Sequence, residues 1–389
     1  MRIPDVTVRH RHHRRIGALH PWIFKDDVLA SNAAGHGDLV RVRDVTGEFV
    51  GIAFWSAHSK IALRIVTRTD LDPGAEFWAS RVADAISRRG PEIARWNARR
   101  LLFGEGDGVP GLVADLYGTH LVLQALTAGA ERVVPDVVAA LRNHVPIDSV
   151  LARNDPSVRA LEGLTREVRQ VSGHTPEEIA IDEDGVRMAV DPWRGQKTGA
   201  FLDQRENRIR CRAYARGRVL DAFAYHGSFA LHAARSASEV VVVDASAEAI
   251  DRARANAERN EATNLTFVAA NAFEDLRARE RRGERFDLVL LDPPAFAKSR
   301  GDVPAARRGY KELNLRALRL LAPGGVLMTS SCSYNLDEPA FEGLVREAAA
   351  DAGADVIVLA RRGQAADHPV RLSFPEGRYL KCHVVREAS

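Results

Sequence analysis

The residues best placed to do chemistry lie in the second half of this 389-residue chain. Residues 286–296, FDLVLLDPPAF, run from a short apolar, partly β-branched stretch into Asp292 and two prolines. Such a run fits a central strand of a parallel sheet covered on both faces. Pro293 and Pro294 stop it and stiffen the backbone beyond. Asp292 then projects from a rigid corner at the carboxyl end of a strand, where open α/β sheets bind ligands. A fixed acid there suits a flat, polar substrate such as a nucleobase. The plainer alternative is a strand terminator with an N-cap acid.

Two further acids stand at strand ends. Residues 219–229, VLDAFAYHGSF, form a strand–loop–helix corner of nucleotide-binding type, with Asp221 at its start. The loop has a single glycine, Gly227, and lacks the G-x-G-x-x-G spacing that makes room for a pyrophosphate. The next strand, EVVVVD, ends at Asp244, where an acid holds ribose hydroxyls. Asp221 beside the first turn can orient an amino group. An adenosine carrying an amino acid therefore fits this corner better than NAD. Each acid alone says little; the ordered pair followed by DPPAF says much more.

Seven strand patterns position these residues, near 218–222, 239–244, 265–269, 287–292, 325–331, 355–361 and 379–386, with helical segments filling most of the gaps. That alternation reads as a doubly wound α/β sheet. The first 70 residues read differently. After Trp22, short alternating runs such as DLVRVRD (38–44), EFVGIAFW (48–55) and SKIALRIVT (59–67) are punctuated by glycine, and Asp44 to Gly47 reads as a hairpin turn. This is a small β-barrel pattern. Residues 71–190 form a connecting α+β domain: an amphipathic helix over 76–89 ended by Gly90-Pro91, a turn-rich segment at 104–111, a hairpin turning at 117–119, a helix over 132–143, a strand near 147–152 and a hairpin at 179–191. Glu105, Asp107 and Asp115, in or near the Gly-rich segment, could be catalytic or metal-binding, but a Gly-rich turn explains them adequately.

Composition sets outer bounds. Residues are 46% hydrophobic and 28% charged, the balance of a folded globular chain with two or three domains. No apolar run approaches the ~20 residues of a membrane span, so a cytoplasmic enzyme without membrane contact is the expectation. Cys211, Cys332 and Cys382 are too scattered for a disulfide framework or a zinc site. No metal is expected. Net charge is only +3, yet residues 9–15, RHRHHRR, hold four arginines and three histidines, a local footprint for phosphate or a solvated basic tail.

Several stretches carry a family resemblance: DPWRGQKTGAFLDQREN (191–207), the 219–229 loop, LDPPAFAKSR (291–300), RGYKELN (308–314), TSSCS (329–333), QAADHPV (364–370) and FPEGRYLK (374–381). The C-terminal half resembles a class I S-adenosylmethionine-dependent methyltransferase. The whole chain resembles the RlmI-type ribosomal RNA large-subunit methyltransferases, which join a PUA domain (here 1–70), a central α+β domain (71–190) and a Rossmann-like catalytic domain (191–389). The N-terminal part of that likeness rests on Gly17, His20 to Phe24, Gly37-Asp38 and Gly51 to Ala53. The resemblance implies a seven-stranded catalytic sheet with its last strand antiparallel, S-adenosylmethionine (SAM) as cofactor and RNA, 23S rRNA or its large-subunit precursor, as partner. A homodimer stays open. Asp221, Phe223 and Gly227 would line the methionine end of the cofactor, Asp244 its ribose and Asn271 its adenine, while Lys197, Gln204 and Arg205 would cover it. Arg14, Arg15 and Lys25 would meet RNA phosphates, as would Lys298 and Arg300 beyond DPPAF. His20 or Trp22 would offer a stacking face, although Trp22 serves equally as core.

The same resemblance implies methylation at cytosine C5, a poor nucleophile. Thiolate attack at C6 breaks the ring conjugation and builds electron density at C5. Cys332, just past the apolar strand GGVLMTSS, is the candidate nucleophile, and Asp292 would bind N3 and the exocyclic amine. DPPAF holds no cysteine, so Cys332 must act alone. His368 is a candidate base for the C5 proton. Cys332 as a small buried hydrophobe is the bland alternative. Two other functions compete: methylation of a base nitrogen, disfavoured because Ala295 rather than an aromatic follows the second proline, and a non-catalytic RNA-binding assembly factor.

Overall fold

Short strands build the first sheet: β1 (Asp5–Val8), β2 (Trp22–Phe24), β3 (Val28–Ser31), β4 (Leu39–Asp44), β5 (Phe49–Trp55) and β6 (Ile61–Thr67). The computed structural model describes residues 3–9, 18–31, 34–297 and 299–388. In space the six run β2-β6-β5-β4-β1-β3, a curled half-barrel in which β1 lies parallel to β4 and every other pair is antiparallel. Val6, Val8, Val40, Val42 and Leu63 point into one core. The expected hairpin turn is present: Asp44 Oδ1 accepts from the backbone N–H groups of Thr46 and Glu48, and Gly47 takes φ 84°.

Helix α1 (Ala75–Ala94) follows, with Gly90 at φ 58° and ψ −177° interrupting it before Pro91. Five more strands, β7 (Ala98–Phe103), β8 (Leu112–Tyr117), β9 (His120–Ala125), β10 (Ser149–Asn154) and β11 (Glu167–Ser172), form a second sheet ordered β11-β10-β9-β8-β7. Helix α2 (Ala128–Arg142) starts at Thr127, whose hydroxyl caps Ala130 N–H, and shares a core with α1 and this sheet. The turn-rich segment differs from expectation in one respect. Gly104–Asp107 closes one helical turn that begins with left-handed Gly104 and is followed by left-handed Gly108.

These elements belong to one compact unit, Met1–Ile181 with Val190–Leu202 and Ala366–Gly377. The second unit comprises Asp182–Ala189, Asp203–Ala365 and Arg378–Ser389. The hairpin of β12 (Ile179–Glu183) and β13 (Val186–Val190) contributes residues to both.

The second unit is the doubly wound one. Its strands are β14 (Arg218–Ala222), β15 (Glu239–Asp244), β16 (Leu265–Ala269), β17 (Phe286–Leu291), β18 (Leu321–Ser331), β19 (Val356–Arg362) and β20 (Lys381–Glu387). They are ordered β16-β15-β14-β17-β18-β20-β19, with the first five parallel and β20 antiparallel to both neighbours. Successive residues of the central strands feed two cores. Leu220, Val241, Val289 and Leu327 meet α6 (Ala272–Arg281), α7 (Val303–Arg319) and α8 (Glu338–Ala352) on one face. Val219, Val240, Leu288 and Met328 meet α3 (Arg205–Cys211), α4 (Ser228–Ala234) and α5 (Ala247–Arg259) on the other. Burial on both faces is why these strands read as continuous apolar runs. The strand order reverses between β14 and β17, so the crevice beyond their carboxyl ends is the expected ligand position. Among the described residues no helix is long and apolar enough to cross a membrane.

Candidate active site

Asp221, next to last in β14, is fully buried. Its Oδ2 accepts from Ala230 N–H at 2.9 Å, while Oδ1 is buried with no hydrogen-bond partner. Burial pushes this carboxyl up to about 8, with the charges of Asp292 and Asp244 adding to the rise. The loop that follows is held open by unusual backbone: Phe223, Tyr225 and Gly227 have φ of 71°, 50° and 77°. Left-handed conformations of non-glycine residues cost about 1–3 kcal/mol each and persist where surroundings enforce them. Here Asp244 does so, accepting Tyr225 N–H on Oδ2 at 2.8 Å and Ser246 N–H on Oδ1 at 2.9 Å. At Gly227 a Cβ would also lie 3.0 Å from that of Ala253.

An orphaned buried acceptor, a strained open loop and an acid at the end of the second strand fit SAM. Asp221 Oδ1 suits the cationic amino-acid end, and Asp244, half-exposed, suits ribose hydroxyls. Asn271 is exposed as the N-cap of α6, and its Oδ1 accepts from Phe273 N–H at 3.0 Å, so this amide carries a local structural duty of its own.

At the next strand end, Asp292 is half-buried and Pro293 buried. β17 and β18 are parallel neighbours with Leu291 opposite Thr329. Cys332, partly accessible, therefore emerges beside the proline corner, with Sγ 4.0 Å from the Pro293 carbonyl oxygen. Cys211 and Cys382 are fully buried. Desolvation pushes the Cys211 thiol far up and that of Cys382 up to about 12, which leaves both inert as nucleophiles.

Gln204, expected over the cofactor, turns its amide elsewhere. Nε2 donates to Asp292 Oδ1 at 2.8 Å and Oε1 accepts from Asn207 Nδ2 at 2.7 Å. Arg205 is buried at 1% exposure, its guanidinium 3.7 Å from Glu206. Lys197 lies in the first unit, with φ 56° and Nζ 4.7 Å from the centre of the Phe201 ring.

Two residues near Cys332 carry functional interest that the sequence did not reveal. Tyr310, fully buried, hydrogen-bonds Ser333 Oγ at 2.9 Å. Lys381, 3% exposed at the start of β20, donates from Nζ to Ser333 O at 2.7 Å and Tyr379 O at 2.8 Å. Burial lowers Lys381 to about 8. The one available hint was a lysine heading an otherwise apolar strand.

In the first unit, His20 and Trp22 are built inward. His20 is buried with Nε2 2.9 Å from Glu376, and Trp22 donates to Glu105 at 2.7 Å while its ring meets Phe374 edge-on at 4.7 Å. The stacking role expected of them gives way to this cluster, because both rings already have protein neighbours. Asp107 pairs with Arg89 and Asp115 with Arg100, each at 2.8 Å, in line with a structural role. His368 is buried, its Nδ1 2.7 Å from Asp367 in the first unit, whereas Cys332 belongs to the second. Lys25 is exposed. Arg14, Arg15 and Lys298 lie outside the described residues, as does the side chain of Arg300. Among the described residues no group of three or more His, Cys, Asp or Glu side chains could hold a metal.

A family profile for S-adenosylmethionine-dependent methyltransferases matches residues 164–368, and one for PUA-like domains matches residues 6–68. Over 381 residues the chain is 42% identical to ribosomal RNA large subunit methyltransferase I of Aeromonas salmonicida, covering 94% of this chain and 95% of that protein. The protein of the same name from Photobacterium profundum is 41% identical with equal coverage. Among solved structures, SMU.776, described as a methyltransferase and complexed with SAH, aligns with TM-score 0.85 at 20% identity over 99% of this chain and 100% of that one. At that identity the likeness concerns the fold.

Proposed function

The chain belongs to the family of SAM-dependent ribosomal RNA large subunit methyltransferases I, and from that premise we propose that it forms 5-methylcytosine through a transient bond between Cys332 and C6 of the base. The observation that carries the reading is the 4.0 Å approach of Cys332 Sγ to the Pro293 carbonyl, which sets the accessible thiol beside the Asp292 corner.

Bound SAM supplies an electrophilic methyl group; the chain supplies the rest. Cys332 as thiolate bonds to C6, and the C5–C6 electron pair moves to C5, which becomes the nucleophile. Asp292, with Oδ1 anchored by Gln204, shares a proton with N3 and accepts from the exocyclic amine. Once C5 carries the methyl, loss of its proton to a base re-forms the double bond and expels the thiolate. Asp221, Phe223, Gly227, Asp244 and Asn271 are the proposed cofactor contacts. We assign RNA binding to the PUA-like first 70 residues, with Arg14, Arg15 and Lys25 on phosphates, and to Lys298 and Arg300, just past DPPAF, on backbone phosphate. Residues 191–389 carry catalysis.

The test uses ribosomal RNA bearing 5-fluorocytidine, whose C5 cannot lose a proton. Wild type should form a covalent complex stable to denaturant, and Cys332→Ala should form none. Methylation of ordinary RNA by wild type without any adduct on the fluorinated RNA would rule the mechanism out and favour attack by a base nitrogen. Mass spectrometry of the nucleosides identifies the methylated atom directly.

A further inference from the structure

We propose that Lys381 is a positioning residue for Cys332: it fixes the turn that carries the thiol and places a positive charge beside it. The proposal rests on the reading of Cys332 as the nucleophile. Lys381 stands opposite Ser331 in the β18–β20 register, one residue from Cys332 on the same turn. Its two hydrogen bonds go to the carbonyl oxygens of Ser333 and Tyr379. Both acceptors are neutral, and no carboxylate of the described residues forms an ion pair with it.

A clamp on two carbonyls does not require a charge. Any buried donor of suitable length would serve, and an ammonium 3% exposed is an expensive choice unless something negative develops near it. The groups in electrostatic reach of Lys381 are Cys332 first, then Asp337 and Glu338 at the start of α8. Glu338 is itself bonded to Arg378 at 2.6 Å. Facing Cys332 from the other elements are the Tyr310 hydroxyl of α7, through Ser333, and the Pro293 carbonyl beside Asp292. Of these, Asp337, Glu338 and Asp292 oppose a thiolate when ionised, and the Tyr310 hydroxyl is neutral. Among these described groups Lys381 is a cation, and it favours the form of the sulfur that can attack carbon. Burial that holds its proton affinity down keeps this ammonium responsive to the charge of its neighbour.

Alkylation by iodoacetamide reports thiolate at each cysteine, and peptide mass spectrometry separates Cys332 from buried Cys211 and Cys382. In the full-length protein, Lys381→Gln retains a donor and removes the charge. Its Cys332 alkylation rate at pH 7 should fall about tenfold, as a one-unit upward move of the thiol titration requires. Lys381→Arg should stay within about threefold of wild type. An unchanged pH profile in a Lys381→Gln protein of wild-type circular dichroism overturns the proposal. Should that variant not fold, linkage gives the reciprocal reading. Without a thiolate at 332, Lys381 in Cys332→Ser should be acetylated several-fold faster than in wild type at pH 7, below its wild-type value of about 8, and equal rates overturn the proposal. Alkylation reports the thiol whether or not Cys332 attacks RNA, so a failure of the catalytic reading shows separately in the 5-fluorocytidine trap.

Discussion

Gln204 points its amide nitrogen, not its oxygen, at Asp292, across 2.8 Å. The orientation is set from further away. Arg362 Nε donates to Asn207 Oδ1 at 2.9 Å, which leaves the Asn207 amide nitrogen to donate to Gln204 Oε1 at 2.7 Å. Because a guanidinium cannot accept, every amide in the row is fixed in one sense. The carboxylate at the proline corner is thus held by a donor whose own direction is locked.

Gln204→Glu keeps the shape and replaces that donor with a second negative charge. Turnover on RNA should drop by about two orders of magnitude, since the new carboxylate cannot donate to Oδ1 and repels it, so Asp292 loses the contact that fixes its direction toward the base. Asn207→Asp, which still accepts from Arg362 but cannot donate to Gln204, should fall by a smaller factor. Steady-state methylation with melting temperatures as controls measures both. Wild-type turnover by a folded Gln204→Glu protein would mean that the contact does not position Asp292.

Cofactor affinity should depend on pH through Asp221. Burial and the neighbouring Asp292 and Asp244 charges raise its carboxyl to about 8, so without ligand it is largely protonated at pH 7. A cationic ligand end prefers the carboxylate. SAM affinity should therefore climb as pH rises from 6 toward 8, approaching tenfold per unit at the low end, and level off above. Calorimetry in buffers of different ionisation enthalpy should also detect released protons near pH 7. Asp221→Asn should bind weakly at every pH, with no proton release. A flat wild-type profile between pH 6 and 9 would remove Asp221 from the cofactor contacts.

RNA affinity should fall steeply with salt, and part of that slope should belong to Arg14 and Arg15. Removing one arginine–phosphate pairing reduces the log–log slope by about 0.9 on a duplex and about 0.7 on a single strand. Replacing both arginines with glutamine should weaken binding across RNA sequences and flatten the slope by between about one and two units. Fluorescence anisotropy over a salt series measures it. A slope equal to wild type would show that the basic run at 9–15 is solvated rather than bound.

The sequence was legible where burial leaves a pattern. The central strands of the second unit read correctly because a sheet covered on both faces demands apolar runs, while the edge strands β16 and β19 are only partly buried. The ends of the central runs delivered Asp221, Asp244, Asp292 and the approach of Cys332 to the proline corner. Side-chain pairing was not legible. Gln204 and Asp292 are 88 residues apart, and periodicity fixes which face a residue occupies, not which partner it meets. His20 and Trp22 looked available for stacking because Glu376 and Phe374, which enclose them, come from the far end of the chain. Lys381 was passed over for a related reason. A lysine in a strand reads as solvent-facing, and its contacts with the Ser333 and Tyr379 carbonyls depend on pairings that no periodicity shows.

Acid should loosen the β12–β13 hairpin residues that belong to the second unit. Glu183 accepts from Arg208 Nε and Nη2 at 2.6 Å each and lies 2.9 Å from His232 Nε2, all in full burial. Burial alone would raise the Glu183 carboxyl, but the charge and hydrogen bonds of Arg208 outweigh it and hold the group at about 2. A folded value below the unfolded one of about 4.3 contributes stability above pH 4.3, lost as pH falls toward 2. The difference amounts to about 3 kcal/mol at neutral pH. Urea midpoints of wild type should accordingly be flat in this contribution above pH 5 and fall between about 4.5 and 2. Glu183→Gln should lose that part of the acid dependence. It should also be less stable at pH 7 by about 3–5 kcal/mol, because Arg208 then keeps its buried charge without this carboxylate. If Glu183→Gln melted within a degree or two of wild type at pH 7, the pair would not be what fastens the hairpin.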